Sequence, residues 1–473
     1  MFRLKKILFR FFDYYTLNPR ALALMRVAMA LIVLLDLAIR GSDLFAFYGE
    51  SGIWPSAYVY SFSGKPGMWS LNSLFHSNVS LVFLYVFNII VAITFLIGYK
   101  TRWSNFLLWI LTLSFQNRNL YILQGGDDLL RLLLFWGLFL PWNQYYCIDK
   151  PIQKRDKNRL GQMAYLLLIT SVYFFSAELK TSSQWQIENT AVYHALSLDI
   201  YRSAFGNYVY QFPNIMRFLS ATTIWIEYLL PILILWPTKK GYTRLVAFIL
   251  ICVLHVSFGL CLNVGLFYLI SVTAGIGLLP AFVFKRFRQQ TTTHFNFRNS
   301  LPLKNMYAFK NLFITSCIIL CFIVNLSGLQ WFTYKPKKEI MYAVNALRLD
   351  QYWSMFAPAV PIENNWLVYL AHNQKGQQYD IYNNVEYVDF KGAKHLNSRF
   401  KSDRWKKLAE NVQSDYYSFL RPHYCAFVLK TWNKNHPENK MQSLNLYSMK
   451  EGVLLNYKRS EPSKKILCLC DEQ

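Results

Sequence analysis

The sequence predicts an all-α polytopic membrane bundle of about eight or nine transmembrane helices, followed by a small extracytoplasmic α+β domain. Three observations predict it. The 473 residues are 54% apolar and only 16% charged, whereas soluble domains carry about 25% charged residues. Several apolar windows approach the ~20 residues that cross a hydrocarbon core. From residue 330 onward no such window remains, and the chain turns polar, with 21 Lys and Arg against 14 Asp and Glu.

The opening stretch "MFRLKKILFRFFDYY" reads as a basic amphipathic helix on the membrane surface, not as a cleavable signal peptide, and residues 1–20 form a cytoplasmic segment. Nine candidate spans follow within 21–329, at 21–39, 79–97, 103–115, 129–142, 163–179, 219–236, 245–261, 266–284 and 310–329. The third and fourth are short. They either extend into the polar "QNRNLYILQGGDD" between them or are partly re-entrant.

A net charge of +24 suggests nucleic acid, but its distribution points to the lipid bilayer. With a cytoplasmic N-terminus, the inner segments hold 21 Lys and Arg in 77 residues and the outer loops between spans hold 6 in 98. Positive-inside asymmetry of this kind sets topology, and an odd span count puts the C-terminal domain outside. The aromatic loop 186–218 is too polar to span and too apolar to be free, so short interfacial or re-entrant helices are expected there.

Within 330–473, "NNWLVYLAHNQKGQQYDIYNNV" reads as a hairpin around Lys375-Gly376. "SDRWKKLAENV" and "RPHYCAFVLKTW" read as helices, and "LNLYSMKEGVLL" as a further strand. Cys252, Cys261, Cys317 and Cys321 fall in apolar segments and read as buried thiols. Cys425 can pair with either Cys468 or Cys470. No His or Cys has metal-ligand spacing, so no metal is expected.

Ionisable side chains inside spans are costly and face the protein interior or a wet cavity. Arg26 and Asp36 share the first span, about 15 Å apart along a helix, so each must bond a different neighbour. Asn117, Arg118 and Asn119 precede Gly125-Gly126. Asp127 or Asp128 can cap the next helix there, and Arg131 can reach back to a carboxylate. Glu178 and Lys180 end the fifth span, with Trp185 five residues beyond the lysine. A lysine kept from water loses its proton more readily and becomes a usable base. Glu227 sits mid-span one turn before Pro231 and requires a partner. His255 and Asn263 lie on the seventh span and the turn after it. Topology puts Lys180, Arg118, Asp127 and Asp128 on the outer side and Glu227 and His255 near mid-depth, so a single outward cavity is expected to hold them.

The pieces "LFAFYGESGIWP", "QNRNLYILQGGDDLLRLLLFWGLFLPW", "YFFSAELKTSSQW", "IEYLLPILIL", "LHVSFGLCLNVGLF" and "YWSMFAPAVP" occur in that order. Together, over about residues 15 to 362, the chain resembles the horizontally transferred transmembrane (HTTM) domain family, that of vitamin K-dependent γ-glutamyl carboxylase and its bacterial relatives. The resemblance implies coupling of quinol oxygenation to removal of a γ-proton, with CO2 captured by the carbanion. It implies a lyase in a bacterial plasma membrane, with reduced vitamin K or another quinol, O2 and CO2 as reactants. It also implies that Lys180, followed by Trp185 and preceded by Tyr173-Phe174, is the base. Phe115-Gln116-Asn117-Arg118 stands where the carboxylases carry Trp-Asn-Asn-His, which puts Arg118 at a catalytic position. Arg118 and Asp127 would position anionic groups. The C-terminal domain is shorter than a carboxylase's, and the pattern is closer to the bacterial members. The other function to weigh is non-catalytic: maturation, export or tolerance of a secreted peptide.

Overall fold

A computed structural model describes residues 14–62, 65–74, 76–149, 159–285, 304–391 and 399–471. The surface-helix reading of the N-terminus falls almost wholly outside them. The nine apolar segments all carry helices: α1 (Pro19–Gly41), α2 (Asn78–Ile97), α3 (Thr101–Arg118), α4 (Gly125–Gly137), α5 (Arg159–Leu179), α6 (Pro213–Leu235), α7 (Tyr242–Cys261), α8 (Phe267–Ile276) and α9 (Lys304–Ser327). Six of these, α1, α2, α5, α6, α7 and α9, are long and apolar enough to cross a membrane. The other three fall short for different reasons. α3 has 18 residues but includes Arg102, Asn105, Gln116, Asn117 and Arg118. α4 and α8 have 13 and 10 residues, about 20 and 15 Å of rise against a hydrocarbon core of about 30 Å.

Local chemistry sets the helix ends. Asn18 caps α1 by accepting from the Arg20 amide at 2.8 Å, and Pro19 opens the helix. Ser77 caps α2, which ends at Gly98 in the left-handed region, φ 72°. In α4, Asp127 Oδ2 accepts from the Gln124 amide at 2.9 Å, so the expected aspartate cap is made by Asp127. α1 packs against α2 and α8, α5 against α6, α4 and α9, and α7 against α6 and α8. Leu22, Met25, Phe95, Leu132, Tyr165 and Leu166 form part of the core. Val79, Phe83, Trp225, Ile232, Phe309 and Leu312 turn outward. Apolar faces on this scale belong against lipid.

The loop 186–218 folds as short helices at Ala191–Ser197 and Ala204–Val209, beside Ser183–Gln186. After α9 come α10 (Lys338–Leu347), β1 (Glu363–Asn373), β2 (Gln378–Asp380), α11 (Asp403–Gln413), α12 (Leu420–Asn435), β3 (Met441–Gly452) and β4 (Ser463–Asp471). The four strands make one antiparallel sheet in the order β2-β1-β3-β4. Gly376, at φ +75°, turns β1 into β2. β4 was not expected from the sequence. α12 packs on β3 and β4, and a disulfide joins Cys425 to Cys470 and leaves Cys468 free.

A closed ring of ions ties this domain to the bundle. Arg40 Nε meets Asp36 Oδ2 at 2.7 Å and Arg40 Nη2 meets Asp127 Oδ1 at 2.6 Å. Arg404 of α11 contacts both carboxylates, Asp36 directly and Asp127 Oδ1 at 3.1 Å. Asp36 thus pairs one turn along its own helix and with the C-terminal domain. Arg26 bonds elsewhere, to the carbonyls of Phe95 at 3.0 Å and Tyr146.

Candidate functional site

Three helices bring side chains to one small cavity. On α5, Tyr173, Ser176 and Lys180 follow at three- and four-residue spacing and so share a face. Lys180 Nζ donates to Glu227 Oε2 at 2.8 Å and Oε1 at 3.0 Å, and to Ser176 Oγ at 2.6 Å. Ser176 Oγ in turn donates to Glu227 Oε1 at 3.0 Å. Lys180 is 3% exposed and Glu227 4%. The partner that Glu227 requires is therefore Lys180. Pro231 removes the amide that would bond the Glu227 carbonyl, a local weakness in α6.

Trp185 covers the amine, with Nζ 5.4 Å from its ring centroid, a cation–π distance. Its own indole N–H is fixed by the Phe356 carbonyl at 2.8 Å. On α7, His255 Nε2 lies 3.0 Å from the Tyr173 hydroxyl. His255 Nδ1 has no hydrogen-bond partner among the described residues.

These groups line a cavity of about 240 Å³ whose other walls include Val172, Ile226, Leu254, Phe258 and Met355. Phe218 of α6 and Val253 of α7 also line it, and they are 69% and 54% exposed on the apolar outer face. The chamber therefore opens sideways between α6 and α7. Phe267 closes the far side, 5.3 Å from the His255 ring centroid to centroid. The same phenylalanine lines a second cavity of about 500 Å³, with Asp36, Asp127, Lys401, Ser402 and Arg404 on its walls.

Of the residues singled out in the sequence, Lys180, Trp185, Glu227 and His255 meet at this cavity. The others lie elsewhere, because their polar atoms are engaged with loops and with the C-terminal domain. Arg118 is fully buried, donating to the Trp54 carbonyl at 2.6 Å and to Gly49 O and Glu50 Oε1, each at 3.4 Å. Asn119 donates to the Phe47 carbonyl at 3.0 Å, and Asn117 to the Trp69 carbonyl at 2.6 Å. Arg131 contacts Asp128 and donates to the Asp350 carbonyl at 2.6 Å. Asp127 belongs to the ion ring. Glu178 accepts from the Tyr228 hydroxyl at 3.1 Å, outside the cavity lining. A single cavity holding all of these groups is thus replaced by one site and several structural clusters.

Ser176 was not singled out, although its four-residue spacing to Lys180 is the signal that finds it. Arg40 was passed over in the same way, four residues from Asp36. Among the described residues no three His, Cys, Asp or Glu side chains group as metal ligands. The chain matches no family model, no curated protein and no solved structure.

Proposed function

We propose that the chain is a multi-pass membrane enzyme in which Lys180 takes a proton from a lipid-soluble acid of the quinol type. The reaction would be carboxylation or a related oxygenation, with O2 and CO2 as co-reactants. The observation that carries this reading is the buried Lys180 amine at the wall of a largely apolar chamber, with Glu227 at 2.8 Å. The ordered sequence resemblance to the HTTM family, with nine spans, a cytoplasmic N-terminus and an outer C-terminal domain, points the same way.

The donor set fits such a guest. The polar atoms of Lys180, Glu227 and Ser176 are bonded to one another at the wall, where a ring hydroxyl would sit, and most of the other lining side chains are apolar. At about 240 Å³ the chamber is smaller than the ~300–1,000 Å³ of a drug-sized site. It suits a ring system whose tail leaves between α6 and α7, past Phe218 and Val253. A quinol bound there would supply the electrons that O2 consumes. The chain's own groups hold and move the proton. A buried amine–carboxylate pair has a charged form and a neutral one with the same number of protons, and desolvation narrows the gap between them. In the neutral form the amine has a free lone pair. Once it has taken the quinol's proton, the ammonium finds Ser176 and the neutral Glu227 carboxyl group, which keeps the pair's own proton, already in place as hydrogen-bond partners.

The test is purified protein with reduced quinone, O2 and labelled bicarbonate. Wild type is expected to give oxidised quinone product or fixed label, and Lys180→Ala to lose about 100-fold or more, the contribution of a general base. No turnover by wild type, or equal turnover by the variant, removes the reading.

One observation favours a second reading: Lys180 is fully engaged by Glu227 and Ser176, as a purely structural tie between α5 and α6 would be. On that reading the chain helps mature, export or tolerate a secreted peptide without catalysis. Its phenotype would then survive Lys180→Ala and be lost on deletion of 330–473.

A further inference from the structure

A larger cavity lies at the other end of the bundle. It measures about 770 Å³ and is lined by residues from 14–19, 238–241 and 278–281 together with Arg244. α7 runs from this cavity to the Lys180 chamber, 20 residues or about 30 Å. The two sites are therefore independent, and nothing here rests on the proposed chemistry of Lys180.

Among the described residues, the charged side chains that line this cavity are Lys239, Lys240 and Arg244, with no Asp or Glu beside them. Arg244 is 5% exposed; its guanidinium donates to three carbonyls, Tyr14 O at 2.7 Å and Thr16 O and Ile234 O at 3.3 Å each, and lies 5.9 Å from the Tyr15 ring centroid. It has no ion-pair partner among the described residues, and neither have Lys239 and Lys240, both exposed. A buried cation without a counter-charge is expensive, and two lysines beside it raise the local positive potential further. α7 also begins here without a side-chain cap, so its first-turn amides add to the same field. The sequence "WPTKKGYTR" supplies all three cations within six residues.

We propose that this cavity binds a phosphate group, carried either by the headgroup of an anionic phospholipid or by a soluble phosphate ester. Lys239 and Lys240 would reach the phosphate oxygens as mobile point charges, and Arg244 would supply fixed positive charge behind them. A basic pocket among helix ends at the membrane face suits an anionic headgroup.

The experiment has two arms, both on the full chain. In the first, protein is recovered from mixed phosphatidylcholine–phosphatidylglycerol nanodiscs and the retained lipid is quantified by mass spectrometry. In the second, protein in phosphatidylcholine nanodiscs is titrated calorimetrically with inorganic phosphate and glycerol 3-phosphate. Enrichment of phosphatidylglycerol alone assigns a lipid headgroup, and binding in the second arm assigns a soluble phosphate. In either case Lys239→Gln/Lys240→Gln should weaken the signal on the order of tenfold with Tm unchanged, since both side chains are exposed. The proposal fails if neither arm gives a signal. It also fails if Lys375→Gln/Lys391→Gln, two exposed lysines of the outer domain, weakens it equally.

Discussion

Two buried ion clusters in this molecule differ in what surrounds them. Asp36, Arg40, Asp127 and Arg404 close a ring in which every ion touches two of opposite sign. It draws on α1, α4 and α11 and so fastens the C-terminal domain to the bundle. Lys180 and Glu227 form a single pair within the bundle, with Ser176 as third member and an apolar chamber beside them. The ring is complete without a guest. Both clusters are buried and each lines a cavity. What distinguishes the pair is that each of its ions has one partner of opposite sign, where each ion of the ring has two.

The largest expected effect is at the ring. Arg404→Met leaves two buried carboxylates sharing Arg40, and should cost ~3–5 kcal/mol, read as a lower Tm and faster proteolysis across 363–471. A loss within the ~0.5 kcal/mol of an ordinary surface change would mean that the ring does not hold the domain.

The pair should respond less and differently. Lys180→Met strands one carboxylate, and adding Glu227→Gln should restore much of the lost stability, with a coupling of ~1 kcal/mol or more in the double-mutant cycle. Activity should stay lost in both variants. A double variant that regains turnover would end the comparison.

Acid should discriminate a third, structural cluster. Burial alone would raise the Asp350 carboxyl, but Arg348, Arg131 and Lys65 outweigh it and hold the group well below the usual carboxylate range. A depressed carboxylate stabilises the fold above its unfolded value of about 3.9, and that stability disappears as pH falls through the folded value. Tm should therefore drop below about pH 4, and Asp350→Asn should flatten that limb while lowering Tm at neutral pH. An unchanged acid limb in the variant would place the cause elsewhere.

The smallest effect belongs to Tyr173→Phe, which removes one hydrogen bond to His255. It should cost ~1 kcal/mol and reduce turnover modestly, far less than Lys180→Ala. A loss as large as that of Lys180→Ala would move the base from Lys180 to the Tyr173–His255 pair.

The helices were legible because apolar length is a local property, and each of the nine segments carries one. The cysteine pairing was legible to within two choices. β4, "SKKILCLCD", was missed because the turn that joins it to β3 places Asn456 and Tyr457 in the left-handed region without a glycine to mark it. Contacts across the sequence were legible only where a residue could not stand alone. Glu227 inside a span demands a partner, yet only the fold names Lys180, 47 residues away. Arg118 shows the opposite limit. Its neighbours Gln116, Asn117 and Asn119 suggest a polar pocket, but its bonds go to carbonyls more than 60 residues distant, which no local pattern reveals.

Phe267 lines both chambers, one entered from the side of the bundle and one beside the ions that hold the C-terminal domain. A single benzyl group is thus a wall common to two compartments, and trimming it to the methyl of alanine would widen both at once.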